Sequence, residues 1–491
     1  MMKAMAGLVL ACVAGFMVIS VRGQLSQPSA IGNCEQFRDQ RGQFQITEND
    51  ESMYCFHRGL YESVIVEFSL AEAPEMYTQS LLKNALSRCI TGRQRKPKTN
   101  QSTTKAKPAA AKAGTPAKPQ KVCKSRKCRR ARYRKRVKRT AVETQPIRVR
   151  VKRQSRSRGK CDWIRKEVRT LSRPEWEKFT RRMNILKRQI SIPGSGSFIP
   201  YDIISDMHRG SPNLDGAYGG PGFPGWNRLY LLVIEAALGM PVPYWDSRKD
   251  FDMDEPTQSV LWTDLFYGPG VGIVDSGPFA GWITSDKTSL RRDIGTGGSL
   301  MSQCMVEQLL KSKNHGPFVE PTLRSISLEK YQSGVHRWVG EQLSLRRTAS
   351  QDPIFFLHRS FVDYIWRMFR DTLRSKYIKP SLDYPEKGSS AHDPTMWMLP
   401  FGNLPNTVGY SDFIERLTEF GDSPACPKCG NSEFLICDTV LNRCKSKAKV
   451  IMDKAVAAET REYRRQALAP KLRGKKFKPV ESDPRTQGNP F

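Results

Sequence analysis

Apolar positions recur at helical spacing in four stretches of the chain: 52–90, 161–190, 228–240 and 353–369. Each predicts helix. The strings GGPGFPGW at 219–226 and FYGPGVG at 266–272 interrupt the pattern and mark loops. Asp352-Pro353 suits a helix start, with the acid as N-cap and proline in the first turn. Alternating strand-type runs are few. The pattern predicts a mainly α fold with long loops and few short strands.

Two ends of the chain fall outside this patterning. At the start, one lysine precedes an apolar run from Ala4 to Val21 and ends near Gly23, which reads as a signal peptide over 1–23. Read as a membrane anchor, the run sits near the lower length limit for spanning, and no later run is long and apolar enough. The expectation is a secreted, extracellular protein with no transmembrane anchor. Residues 24–90 then read as a small helical module carrying Cys34, Cys55 and Cys89. His57 beside Cys55 is expected to be structural.

Charge divides the chain further. The net charge is +32. Residues 91–160 hold 27 Lys or Arg against one acid, Glu143, whereas 161–444 are neutral and 445–491 are basic again. A neutral core carries two basic arms, and the high net charge describes the arms. The 91–160 stretch is rich in Lys, Ala, Pro and Thr, a composition expected to stay disordered. It contains the glycosylation acceptor Asn100-Gln-Ser and two R-x-K-R strings ending at Arg139 and Arg153. These strings resemble secretory convertase sites; chance in an arginine-rich run is the other reading. Such charge blocks bind acidic partners. Behind a signal peptide, the expected partners are acidic matrix components or glycans, not nucleic acid.

Of 12 cysteines, 11 follow the leader, and an oxidising compartment favours their bridging. Cys426, Cys429, Cys437 and Cys444 are expected to form a disulfide segment over 426–444. A zinc knuckle is the alternative, but the later pair does not repeat C-x-x-C. Residues 445–491 read as a basic tail.

Within the core, four segments occur in order: YDIISDMHRG, AYGGPGFPGWNRLYLLVIEAAL, VPYWDS, and SGVHRWVG followed by SQDPIFFLHRSFVDYIW; NTVGYSDF comes after them. This series resembles the tyrosinase family, the copper monophenol and catechol oxidases related to molluscan hemocyanin. The resemblance implies a four-helix-bundle core over 161–425 holding two coppers, each on three imidazoles. Residue by residue, His208 and His336 match ligand positions. Tyr218, Asn227, Gln332 and Arg359 stand at the other four. Eight residues separate Tyr218 from Asn227, the family's interval, so the frame is kept.

His358 neighbours Arg359, and in the family that neighbour points elsewhere; adjacent helical residues diverge by about 100°. The chain has six histidines, and His57, His315 and His392 lie outside these motifs. Arg359 is decisive, because a guanidinium stays protonated and offers no lone pair to a metal. The four replacements are expected to form one polar network around His208 and His336; loosely packed drift is the alternative. Asp363, four residues after Arg359, is expected to pair with it along the helix.

No catalytic residue is assigned. The resemblance implies a secreted tyrosinase-like protein without full dicopper oxidase activity, acting in an extracellular matrix such as shell. One rival is a copper-dependent oxidase of phenols or catechols with an unusual ligand set. Another is a precursor that releases its basic segment.

Overall fold

The computed structural model describes residues 48–91, 163–319, 326–385 and 390–449. The expected signal peptide over 1–23, the basic arm with Asn100, Arg139 and Arg153, and the tail past residue 449 lie outside them.

The first apolar stretch forms two helices, α1 (Glu48–Glu67) and α2 (Ala73–Thr91). Between them Glu72 accepts hydrogen bonds from the backbone N–H and hydroxyl of Ser69, which stops α1 and starts α2. Both helices pack on the core. Tyr61 stacks on Phe198 with ring centroids 4.0 Å apart. The buried His57 ring donates from Nε2 to the Ala237 carbonyl (3.0 Å) and accepts from the Tyr77 hydroxyl (2.7 Å). With both nitrogens used, this histidine is structural.

Four helices form the bundle: α3 (Arg173–Leu186), α4 (Gly222–Leu238), α5 (Leu328–Val339) and α6 (Ile354–Ser375). Helix α4 touches α3 and α6, and α5 touches α6. Helix α4 is apolar on nearly every side and is buried along almost its whole length, so it runs through the centre. Proline in the first turn and a Glu175–Ser172 capping contact start α3. Gly239 ends α4 in the left-handed region at φ 63°, a backbone state that glycine adopts without strain. Asp352 accepts from the backbone N–H of Ile354 (3.0 Å) at the start of α6, as a capping acid should.

Strands are two to four residues long and occur, among the described residues, as four separate two-stranded ladders. One is parallel, joining Ile164–Arg165 to Glu419–Phe420. The architecture is mainly α with a four-helix core. No helix of the described residues is long and apolar enough to cross a membrane.

The 426–444 segment is a disulfide knot. Cys426 bonds Cys437, Cys429 bonds Cys444, and the antiparallel ladder Leu435–Asp438 with Arg443–Ser446 sets Cys437 opposite Cys444. With all four sulfurs in disulfides, a zinc site is not formed by them.

Candidate functional site

The uncommon strings of the core serve first to hold the bundle together. In VPYWDS, the Trp245 backbone N–H donates to the Leu357 carbonyl (3.0 Å), tying this loop to α6. The Trp245 indole donates to Asp250 (2.7 Å), and Asp246 accepts two hydrogen bonds from Arg248 (2.8 and 2.7 Å). Phe223, Trp226, Tyr244 and Trp245 are all buried.

Asp363 does not pair with Arg359. It points away from that residue and joins Arg165 (2.6 Å) and Arg228 (2.8 Å). Arg165 also pairs with the buried Glu235 (2.7 Å). Two other buried cations thus claim the carboxylate, each from a different element, and the intrahelical contact cannot compete with them.

Between α5, α6 and the loop after Pro200–Asp206, three of the residues at the expected ligand positions, His208, His336 and Arg359, lie around the Phe355 ring. The His208 ring lies 4.8 Å from it between centroids, the His336 ring 5.7 Å, and the Arg359 guanidinium carbon 4.8 Å. His208, Gln332, His336 and Arg359 are at most 5% exposed. The loop carrying Tyr218 is fixed by His392, whose Nε2 donates to the Tyr218 carbonyl (2.8 Å) while Nδ1 accepts from the Gly222 N–H (3.1 Å). Arg359 donates from Nη2 to the Tyr218 hydroxyl. Its guanidinium carbon also lies 5.0 Å from the Tyr218 ring and 5.1 Å from that of Phe223, within cation–π range of both.

The expected four-residue network is therefore one pair. Asn227 turns back on its own helix and donates to the carbonyls of Phe223 (2.8 Å) and Ala217 (3.2 Å). The Gln332 side chain makes no hydrogen bond at either amide atom. A short amide on a helix reaches the carbonyl one turn earlier more easily than a partner across the bundle. His358 turns its Nε2 toward the Gln332 carbonyl at 3.3 Å, with its ring 5.4 Å from that of His336.

Many polar atoms here lack partners. They are both ring nitrogens of His208, Oδ1 of Asn227, both amide atoms of Gln332, Nε2 of His336, Nδ1 of His358, and Nε and Nη1 of Arg359. Such a concentration of buried, unpartnered groups is rare in folded proteins and calls for an explanation. Burial, reinforced by the Arg359 charge, holds His208 and His336 well below the usual histidine range and His358 at about 3. All three rings are neutral at physiological pH.

Two residues at the rim had no motif to announce them. Glu329 accepts from the Gly219 N–H (2.8 Å), and Arg346, mostly exposed, stands 4.7 Å over the Tyr218 ring and 3.9 Å from Glu329. They enter the site only because α5 and the loop after it fold over Tyr218.

The bundle and its motif frame define a tyrosinase-type helical domain. Residues 199–372 match the family model described as the common central domain of tyrosinase, and this stretch of the chain is such a domain. Tyrosinase-like protein 2 of Margaritifera margaritifera is 29% identical over 304 residues, covering 56% of this chain and 65% of that protein. Tyrosinase-like protein 1 of the same organism is 32% identical over 258 residues, covering 48% and 51%. The chain thus spans between half and two thirds of the length of these curated relatives. Among solved structures, a functional unit of octopus hemocyanin superposes with a TM-score of 0.39 at 19% identity, covering 53% of this chain and 68% of that one.

The residues present do not fit a pair of coppers. Only His208 and His336 offer imidazoles at ligand positions, and among the described residues no His-containing group of three or more donors converges on one point. A protonated guanidinium occupies the same space. Two neutral donors beside a fixed cation fall short of the three or more that protein copper and zinc sites use.

Proposed function

We propose that this chain is a secreted tyrosinase-like protein without dicopper oxidase activity, acting as a component of an extracellular matrix, shell among the candidates. The buried guanidinium of Arg359, bonded to Tyr218 at two former ligand positions, carries the reading. A cation placed there opposes the binding of a second cation by direct repulsion. The two basic arms, the first with a single acid and the second with 13 basic residues against five acids, supply the means of attachment, and acidic polymers such as sulfated or carboxylated glycans are the matching partners. The helical domain is then a rigid carrier, stapled by its disulfides.

Metal analysis of the secreted full-length protein, together with catechol and monophenol oxidation assays after copper loading, tests this. Near-zero tightly bound copper and no turnover above free copper are expected. Two coppers per chain with steady turnover would refute it. Retention on an immobilised acidic polysaccharide that falls steeply with salt tests the role of the arms. N-terminal sequencing of the secreted material decides whether the chain begins near Gln24 or after Arg139 or Arg153.

A further inference from the structure

Six arginines are among the largest fully buried side chains: Arg165, Arg169, Arg228, Arg292, Arg359 and Arg370. Five have a carboxylate within 3 Å. Arg165 pairs with Glu235 and Asp363, Arg169 with Glu167 and Asp250, Arg228 with Asp363, Arg292 with Asp352, and Arg370 with Glu415. Among the described residues, Arg359 is the member of this set without such a partner. The acid whose charge reaches it is Glu329, which makes no ion pair with it, accepts from the Gly219 N–H and stands 3.9 Å from Arg346. The Tyr218 hydroxyl takes one N–H, and Nε and Nη1 are left without acceptors.

A guanidinium does not give up its proton in a protein, so neutralisation by proton loss is closed. Leaving the charge uncompensated in the interior is costly, and aromatic faces offset only part of that cost. What completes the site must bring negative charge, accept several hydrogen bonds and be small enough for a closed core. The donors free to serve it are on Arg359 itself: Nε and Nη1 are buried without acceptors, with the guanidinium carbon 4.8 Å from the Phe355 ring.

We propose that the interior beside Arg359 binds one small monovalent anion of halide size, held by Nε and Nη1 of its guanidinium. The same frame that holds cations on imidazole lone pairs in copper proteins has its polarity reversed by one arginine. Chloride is the abundant extracellular ion of this chemistry. The inference rests on the copper-free reading above, but the two fail separately: metal content tests that reading, and anion occupancy tests this one.

The experiment uses the full-length secreted protein. Crystals grown or soaked in bromide are measured at the bromine edge. Thermal unfolding is followed in chloride, bromide and gluconate at equal ionic strength, for wild type and for Arg359→Met. The expected result is an anomalous peak in hydrogen-bonding contact with the Arg359 guanidinium. Above half-saturation the melting temperature rises by about 2–4 °C per tenfold increase in halide. In Arg359→Met that halide dependence is lost. A bromide map without a peak at Arg359, or an equal halide response in both proteins, would overturn the proposal. If the variant does not fold, the bromide map of the wild type still decides. Ordered water alone at this position counts against it.

Discussion

Arg359 reaches from α6 across the bundle to the hydroxyl of Tyr218, so two residues at positions where the tyrosinase resemblance implies copper ligands are each other's partners. The pair is buried, and both members come from inside otherwise recognisable motifs. A side chain that would repel copper is thereby accommodated without loosening the frame around it.

Removing only the hydroxyl should expose what the pair contributes. Tyr218→Phe leaves Nη2 of Arg359 without this acceptor and is expected to lower stability by about 1–3 kcal/mol. Arg359→Met in the same background should recover much of that loss, because the stranded charge is then gone. Urea unfolding of both single variants and the double variant gives the coupling directly. A Tyr218→Phe protein as stable as wild type would show that the contact is incidental.

Restoring the imidazoles should restore metal binding if the helices have kept their places. The combined variant Tyr218→His, Asn227→His, Gln332→His and Arg359→His is expected to take up close to two coppers per chain, against near zero for wild type. Metal analysis after dialysis is the measurement. No uptake by a folded quadruple variant would mean that the frame has shifted as well as the residues.

Asp363 compensates two buried arginines at once. Asp363→Ala is expected to cost about 3–5 kcal/mol, since it strands buried charge. Asp371→Ala, on an exposed pair with Arg367 and Arg374 of the same helix, should stay within about 0.5 kcal/mol of wild type. Chemical denaturation of the two variants side by side tests the contrast.

All six histidines are held below the usual range by burial, His57 at about 4. The unfolded chain therefore binds more protons than the folded one in mildly acidic solution. Stability is complete above about pH 6.5 and falls as pH drops toward 4. His57 alone accounts for about 3 kcal/mol across that window. His57→Gln should lower stability at pH 7 and flatten the decline between pH 6.5 and 4. A decline of unchanged steepness in that variant would remove His57 as a contributor.

The knot at 426–444 should respond to reductant and not to chelator. Reduction of Cys426–Cys437 and Cys429–Cys444 is expected to destabilise the domain by about 2–4 kcal/mol in the chain-entropy account. EDTA should leave the melting temperature unchanged. A chelator-induced drop would point back to a metal at these cysteines.

Apolar periodicity by itself determined the helical class and three of the four bundle helices in part, while the start of α4 at Gly222, inside an expected loop, and the helix α5 were left to the structure; the six expected ligand positions came with the resemblance of the motifs. What periodicity determined is a matter of local spacing: residues on one helix face share a fate wherever the helix lies. The sequence also determined that Arg359 excludes a metal ligand, because that follows from guanidinium chemistry alone. Which partner each polar group takes was decided only by the tertiary structure. Asp363 sits one turn from Arg359, yet it serves Arg165 and Arg228, brought to it from segments far away in the chain. Gln332 and Asn227 looked equivalent to Tyr218 as polar replacements, yet only the tyrosine is long enough, and held at the right angle by His392, to meet Arg359 across the bundle. The missing counter-charge of Arg359 was equally invisible in the sequence, since every acid is a potential partner until the fold has assigned them to others.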